Sequence, residues 1–154
     1  MDYFELSTTP SVNPITGWLA GFGLSGTNAD YSADSDGDGS KNIFEYAFNQ
    51  NPTNAANKFF PSASISSDHL ILTFRERTGG TGMVGVDYTA GGVTYRVEVS
   101  DSLAGPWNSS TSFVEQVGPA ANNGDGTETV NVRLKQNVPG TTQKFMRLVL
   151  IPTP

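Results

Sequence analysis

Residues 93–100, Val93-Thr94-Tyr95-Arg96-Val97-Glu98-Val99-Ser100, alternate apolar and polar side chains without a break. Successive side chains of a β-strand point to opposite faces, so Val93, Tyr95, Val97 and Val99 form a row aimed at a core. All four are β-branched or aromatic, the types that suit a half-buried pleated surface. The period recurs on both sides of this stretch. Leu70, Leu72 and Phe74 alternate with Ile71, Thr73 and Arg75. Val130, Val132 and Leu134 alternate with Asn131 and Arg133, and Met146, Leu148 and Leu150 with Arg147 and Val149. Weaker strands fit 59–65, 83–89 and 111–117, and Asp125-Gly126 supplies a hairpin turn.

About seven short strands at this rhythm describe a mainly β chain, a sandwich of immunoglobulin or fibronectin type. Arg75, Arg77, Arg96, Arg133 and Arg147 fall opposite the apolar rows, which reads as a solvated face laced with Glu76 and Glu98. Before residue 59 the period is helical. Asn13 can cap a helix whose first turn takes Pro14, and Ile15, Trp18, Leu19 and Phe22 form its apolar stripe up to Gly23. Residues 25–33 read as loop. Asn42 to Asn49 reads as a second helix burying Ile43, Phe44, Ala47 and Phe48, stopped by Asn51-Pro52. The expected organisation is an extended arm (1–12), a helix–loop–helix unit (13–51), a polar linker (52–58) and the sandwich (59–154).

Between the two helices lies Asp34-Ser-Asp36-Gly-Asp38-Gly39-Ser40-Lys41-Asn42-Ile43-Phe44-Glu45. The pattern D-x-D-x-D-G-x5-E is complete, and it is that of a calcium loop. Calcium takes about six to eight oxygen ligands, and three aspartates on alternate positions can wrap around one ion. Gly39 permits the sharp turn. Ser40 stands where a backbone carbonyl is the usual ligand and Asn42 where contact often runs through water. Glu45, one turn into the helix, can supply both carboxylate oxygens. The expected metal set is therefore Asp34, Asp36, Asp38, Ser40, Asn42 and Glu45, with Ca2+ as the cofactor. Four carboxylates against Lys41 leave −3 in twelve residues, half of the chain's net −6. Without a cation they repel one another. The segment before the loop holds Gly26, Asn28 and Ser32 and does not read as a helix, and no second loop follows. A lone, unpaired site suits a structural clip rather than a sensor.

A net charge of −6 with nine Lys and Arg gives no electrostatic footprint for nucleic acid. No apolar run approaches the ~20 residues of a membrane-spanning helix. With no cysteine, disulfides and thiolate metal sites are excluded. The stretch after Met1 is polar and lacks a basic start, unlike a secretion leader; an excised piece or a processed form is expected.

Trp18-Leu19, the acidic stretch 34–42, Asn42-Ile-Phe-Glu-Tyr-Ala-Phe and Asn51-Pro52 together resemble a module of secreted proteins from bacteria such as Verrucomicrobia and Planctomycetes. Its loop is similar to those of dockerins and thrombospondin type-3 repeats, and a short β-sandwich follows it. Residues 94–107, 125–134 and 144–150 carry the resemblance into the strands, while 77–92 is longer than expected and reads as an added hairpin. The resemblance implies an extracellular, non-catalytic module with a structural or adhesive role. Calcium is its expected partner, with a glycan or further protein subunits as alternatives.

Two alternatives rest on other residues. Trp107, with Tyr88 or Tyr95, could form a stacking platform for sugar rings, as in a carbohydrate-binding module of a polysaccharide-degrading enzyme. The competing reading closes one end of the sandwich with Trp107. A self-assembling fibre or surface layer is the other alternative: exposed sandwich edges can add strands, the stretch 145–151 carries apolar residues on both faces, and the arm 1–12 could serve as a donated strand. His69, the only histidine, has no nucleophile motif around it, and no enzymatic activity is expected.

Overall fold

The computed structural model describes residues 13–138 and 143–153, so the expected arm over 1–12 lies outside the described residues. The first helix, α1, covers Pro14–Gly21, with the Asn13 side chain accepting from Ile15 N at 2.9 Å and proline in the first turn. It buries Ile15 and Leu19. A 3-10 turn at Gly26–Ala29 leads to the acidic loop, and α2 follows over Asn42–Phe48. Asn49 ends α2 in the left-handed conformation, φ 55°, a position that Asn tolerates better than most residues.

Among the described residues eight strands follow: β1 (Ser62–Ser66), β2 (His69–Arg77), β3 (Tyr88–Ala90), β4 (Val93–Ser100), β5 (Val114–Gln116), β6 (Ala121–Asn122), β7 (Thr127–Leu134) and β8 (Phe145–Pro152). They form two antiparallel sheets. One has the order β1-β2-β7-β5 with β6 also paired to β7; the other has the order β3-β4-β8. The chain is thus mainly β, a two-sheet sandwich preceded by short helices. Val93, Tyr95 and Val97 of β4 face Phe74, Val130 and Val132 of the other sheet in one buried cluster. That cluster also takes in Ile15, Leu19, Ile43, Tyr46, Ala47 and Phe48, so both helices share the strands' core.

The weaker strands are shorter than the sequence suggests. Within 59–65 the ladder begins only at Ser62, because Phe59 turns back to pack against Phe48 at 5.3 Å between ring centroids. Within 111–117 only Val114–Gln116 pairs. Over 83–89 the chain forms a turn instead, with Val86 N and Asp87 N both donating to Met83 O, and strand geometry starts at Tyr88. Gly85 explains the turn. Its φ is +82°, and its carbonyl accepts from Val97 N at 3.1 Å while its backbone presses on Val132. A side chain does not fit there. The Asp125-Gly126 turn sits between β6 and β7, closed by Asn123 N donating to Thr127 O at 3.0 Å.

One residue breaks the expected pattern inside a strand. Glu76 belongs to the row Leu72, Phe74, Glu76 that faces the core, and it is fully buried, not part of a solvated face with the arginines. Glu98 does lie on the outer face, where it pairs with Arg147 at 2.6 Å.

The small sheet leaves one flank of the core partly open. Met146, Leu148 and Leu150 of β8 point inward by register with β4 yet stay half-buried. On the edge strand of the other sheet, Ile65 of β1 is 68% exposed.

Candidate metal centre

The acidic loop folds around its own aspartates. Asp34 accepts from three backbone amides, Gly37 N at 2.9 Å, Asp38 N at 3.1 Å and Gly39 N at 2.8 Å. These bonds, led by the one from Gly39, hold its carboxyl below its ordinary range. Asp36 accepts from Asp38 N, and Asp38 from Ser40 N at 2.6 Å. Gly39 sits at φ +92°, the conformation that lets the loop turn back. As a result one carboxylate oxygen from each of Asp34, Asp36 and Asp38 lies within 4.8 Å of the others.

Glu45 of α2 lies near enough to feel the charges of all three aspartates. It is only 1% exposed, and neither of its carboxylate oxygens has a hydrogen-bond partner. Burial pushes its carboxyl up to about 7, and the charges of Asp36, Asp38 and Asp34 push in the same direction. One oxygen of Asp36 is also buried and unpartnered. Buried polar groups are ordinarily satisfied, so orphaned carboxylate oxygens on Asp36 and Glu45, beside the close group of three aspartates, mark a place suited to a cation. Lys58 offers partial compensation, donating to the Asp38 carbonyl at 3.0 Å with its Nζ 3.5 Å from the carboxylate. The donors are all oxygen, which suits calcium rather than a soft metal. The loop's geometry brings together Asp34, Asp36 and Asp38, while Glu45 stands outside that close group and is linked to it through the charges it feels.

Ser40 is buried beside them at the seventh loop position. Asn42 has a different, visible task. Its Nδ2 donates to the carbonyls of Asn28 at 2.9 Å and Asp30 at 2.7 Å, which binds the incoming segment to α2. Its backbone N donates to Ala33 O, and Ile43 N donates to Tyr31 O. Carbonyls from the incoming segment thus cap α2, whose N-cap residue Lys41 makes no side-chain cap bond. The segment holds one 3-10 turn at Gly26–Ala29 and no α-helix runs into the loop. Asn42 Oδ1 stays buried without a partner. This stapling role was not legible in the loop motif, because it depends on carbonyls 12 and 14 residues away.

The loop's exit is fixed to the sandwich at three points. Tyr46 Oη donates to Gly91 O at 2.7 Å, Tyr95 Oη to Ala47 O at 3.1 Å, and Arg77 Nε to Tyr46 O at 3.0 Å. The Arg77 guanidinium also lies 3.7 Å over the Tyr46 ring, a cation–π contact.

The chain matches no family model, no curated protein and no solved structure. What the loop can do is therefore argued from its own geometry.

The aromatic platform is not assembled. Tyr88 and Tyr95 are buried, 7% and 0% exposed, with both hydroxyls bonded to backbone groups inside the core. Neither ring can stack on a sugar. Trp107 lies beyond the end of β4, half-buried, with the Arg147 guanidinium 4.0 Å over its ring. His69 opens β2, and its Nδ1 lies 2.8 Å from the Leu134 carbonyl oxygen. Trp18 packs edge-on to Tyr46 at 5.3 Å and to Phe22 at 4.9 Å, between α1 and α2.

Proposed function

We propose that this chain is a non-catalytic, calcium-stabilised extracellular module, in which a single Ca2+ held by Asp34, Asp36, Asp38 and Glu45 clips the helical segment onto the sandwich. The observation that carries this reading is Glu45, buried with two unpartnered oxygens and facing three aspartates. A folded chain has no reason to bury that charge unless a cation meets it. Ser40 and Asn42 complete the loop around the ion, through a backbone carbonyl and through water. Extracellular modules hold calcium at about 10⁻⁴–10⁻³ M, so ambient calcium keeps such a site filled. Binding at a hundredfold excess over Kd stabilises the fold by ~2.7 kcal/mol. The test is thermal melting with calcium and with EDTA, together with calorimetric titration of calcium. Chelation is expected to lower the Tm and added calcium to restore it, while Asp36→Ala abolishes the titration. An unchanged melt in EDTA would sink the clip.

The open flank favours a second reading, a subunit of a fibre or surface layer. The half-buried inward row of β8, an edge strand of its sheet, would be covered by a strand added along it. Sedimentation across a concentration series tests it. A chain that stays monomeric throughout removes this reading.

A further inference from the structure

Glu76 and Glu128 stand directly opposite each other in the β2–β7 register. The neighbouring pairs Phe74–Val130 and Leu72–Val132 belong to the inward rows, and the two glutamates continue those rows. Side chains so placed have Cβ atoms about 4.5–5.5 Å apart, and like charges there repel. Glu76 is fully buried, and neither of its carboxylate oxygens has a partner.

No hydroxyl or amide donates to the Glu76 carboxyl itself. Tyr88 of β3 donates its hydroxyl to Arg77 O at 3.0 Å and accepts from Gly80 N at 2.8 Å. Tyr95 of β4 donates to Ala47 O and accepts from Arg77 N at 3.2 Å. Arg77, next in β2, points to the opposite face, where Tyr46 holds its guanidinium. The inward residues of β8 are Met146, Leu148 and Leu150, all apolar. Glu76, buried with no donor and facing a second carboxylate, cannot stay ionised at low cost, whereas Glu128 is only half-buried and has the Tyr88 hydroxyl beside it.

We propose that Glu76 and Glu128 form a proton-binding site, one proton being held between the two carboxyls of the folded sandwich. The protonated carboxyl donates to its neighbour, which satisfies one orphaned oxygen and leaves a single shared negative charge. Burial, and then the charge of Glu128, push the Glu76 carboxyl up to about 8, in line with this arrangement. The sign follows from linkage. The folded state retains a proton that the unfolded chain has lost above the ordinary glutamate range. Stability contributed by this site is therefore present at low pH and declines as pH rises through about 8. Over that window the folding equilibrium constant falls by up to about tenfold per pH unit.

The site is independent of the calcium loop, and the test keeps the two apart. Melting temperature is followed from about pH 5 to 9 with saturating calcium and again in EDTA, for the wild type, Glu76→Gln and Glu128→Gln. A glutamine amide donates to the remaining carboxylate at every pH. With saturating calcium both variants are expected to lose the decline with pH that the wild type shows; in EDTA they are expected to keep only the part that Glu45 contributes up to about pH 7 and to lose the rest. Curves that run parallel to the wild type overturn the proposal, as does a difference seen only in EDTA. Infrared spectroscopy of the calcium-saturated wild type gives a second readout if a variant fails to fold. A protonated-carboxyl carbonyl band at neutral pH that vanishes in alkali supports the site, and its absence overturns it. Metal analysis showing a second bound cation in the wild type, lost in Glu76→Gln, replaces the proton by a metal and also overturns it.

Discussion

Replacing Glu45 by glutamine should stabilise the chain without calcium and weaken it with calcium. In the metal-free fold the Glu45 carboxyl is pushed from 4.5 to about 7 by burial and by three aspartates. Each pKa unit is about 1.36 kcal/mol, so keeping this group ionised costs about 3 kcal/mol. A raised carboxyl pKa penalises the fold only where the unfolded chain is already ionised. The penalty is therefore absent near pH 4, grows through the window up to about 7, and is complete at pH 8. Glutamine keeps the shape, removes the charge, and presents an amide that the aspartates can accept. In EDTA at pH 8, Glu45→Gln is expected to gain about 2 kcal/mol, a rise of about 4–8 °C for a chain of this length. With calcium in hundredfold excess the wild type gains ~2.7 kcal/mol that the variant, lacking a bidentate ligand, mostly forgoes. The order of the two melting curves should invert between the two media. Calorimetric scans of both proteins at pH 8 read it directly. A variant that melts below the wild type in EDTA would refute the reasoning, because Glu45 would then be satisfied without a cation.

Asn42→Ala should cost about 2–4 kcal/mol, since it strands the Asn28 and Asp30 carbonyls that its Nδ2 serves. Chemical denaturation measures the loss, and calcium titration of the same variant should show weaker binding because the incoming segment is freed. Gly85→Ala should destabilise by about 2–4 kcal/mol. A Cβ there would meet Val132 Cγ1 at 2.8 Å on a backbone at φ +82°. Urea unfolding at pH 7 checks that figure, and a change below about 0.5 kcal/mol would contradict the tight packing.

The central strands were legible because their rows are buried as written: Val93, Tyr95 and Val97 are all fully buried. Period alone placed them, and a one-residue error in register would have turned every side chain outward. The weak strands were misjudged where glycine intervened. Gly82 and Gly85 have positive φ, which no ladder accommodates, yet the apolar residues around them imitate strand alternation. Glu76 was misread because its charge outweighed its position. The row Leu70, Leu72, Phe74 runs straight into it, and that parity was visible in the sequence. The gathering of Asp34, Asp36 and Asp38 was legible from spacing because alternate residues of one short loop supply it. Tyr88 and Tyr95 could not be judged as surface residues from spacing alone, since their burial depends on a second sheet contributed by distant strands. Asn42 combined a loop position with a tertiary role, and only the first is written locally.

The hydroxyl of Tyr95 joins three elements, accepting from Arg77 N on β2, donating to Ala47 O on α2 and belonging itself to β4. One oxygen atom thus links both sheets to the helix that follows the acidic loop. An opening of that helix strips a bond from the centre of the sandwich, so the loop and the strands belong to one cooperative unit. An ion bound at the periphery would then slow hydrogen exchange at amides of β2 and β4 that never approach it, and the strands would lose protection together with the loop.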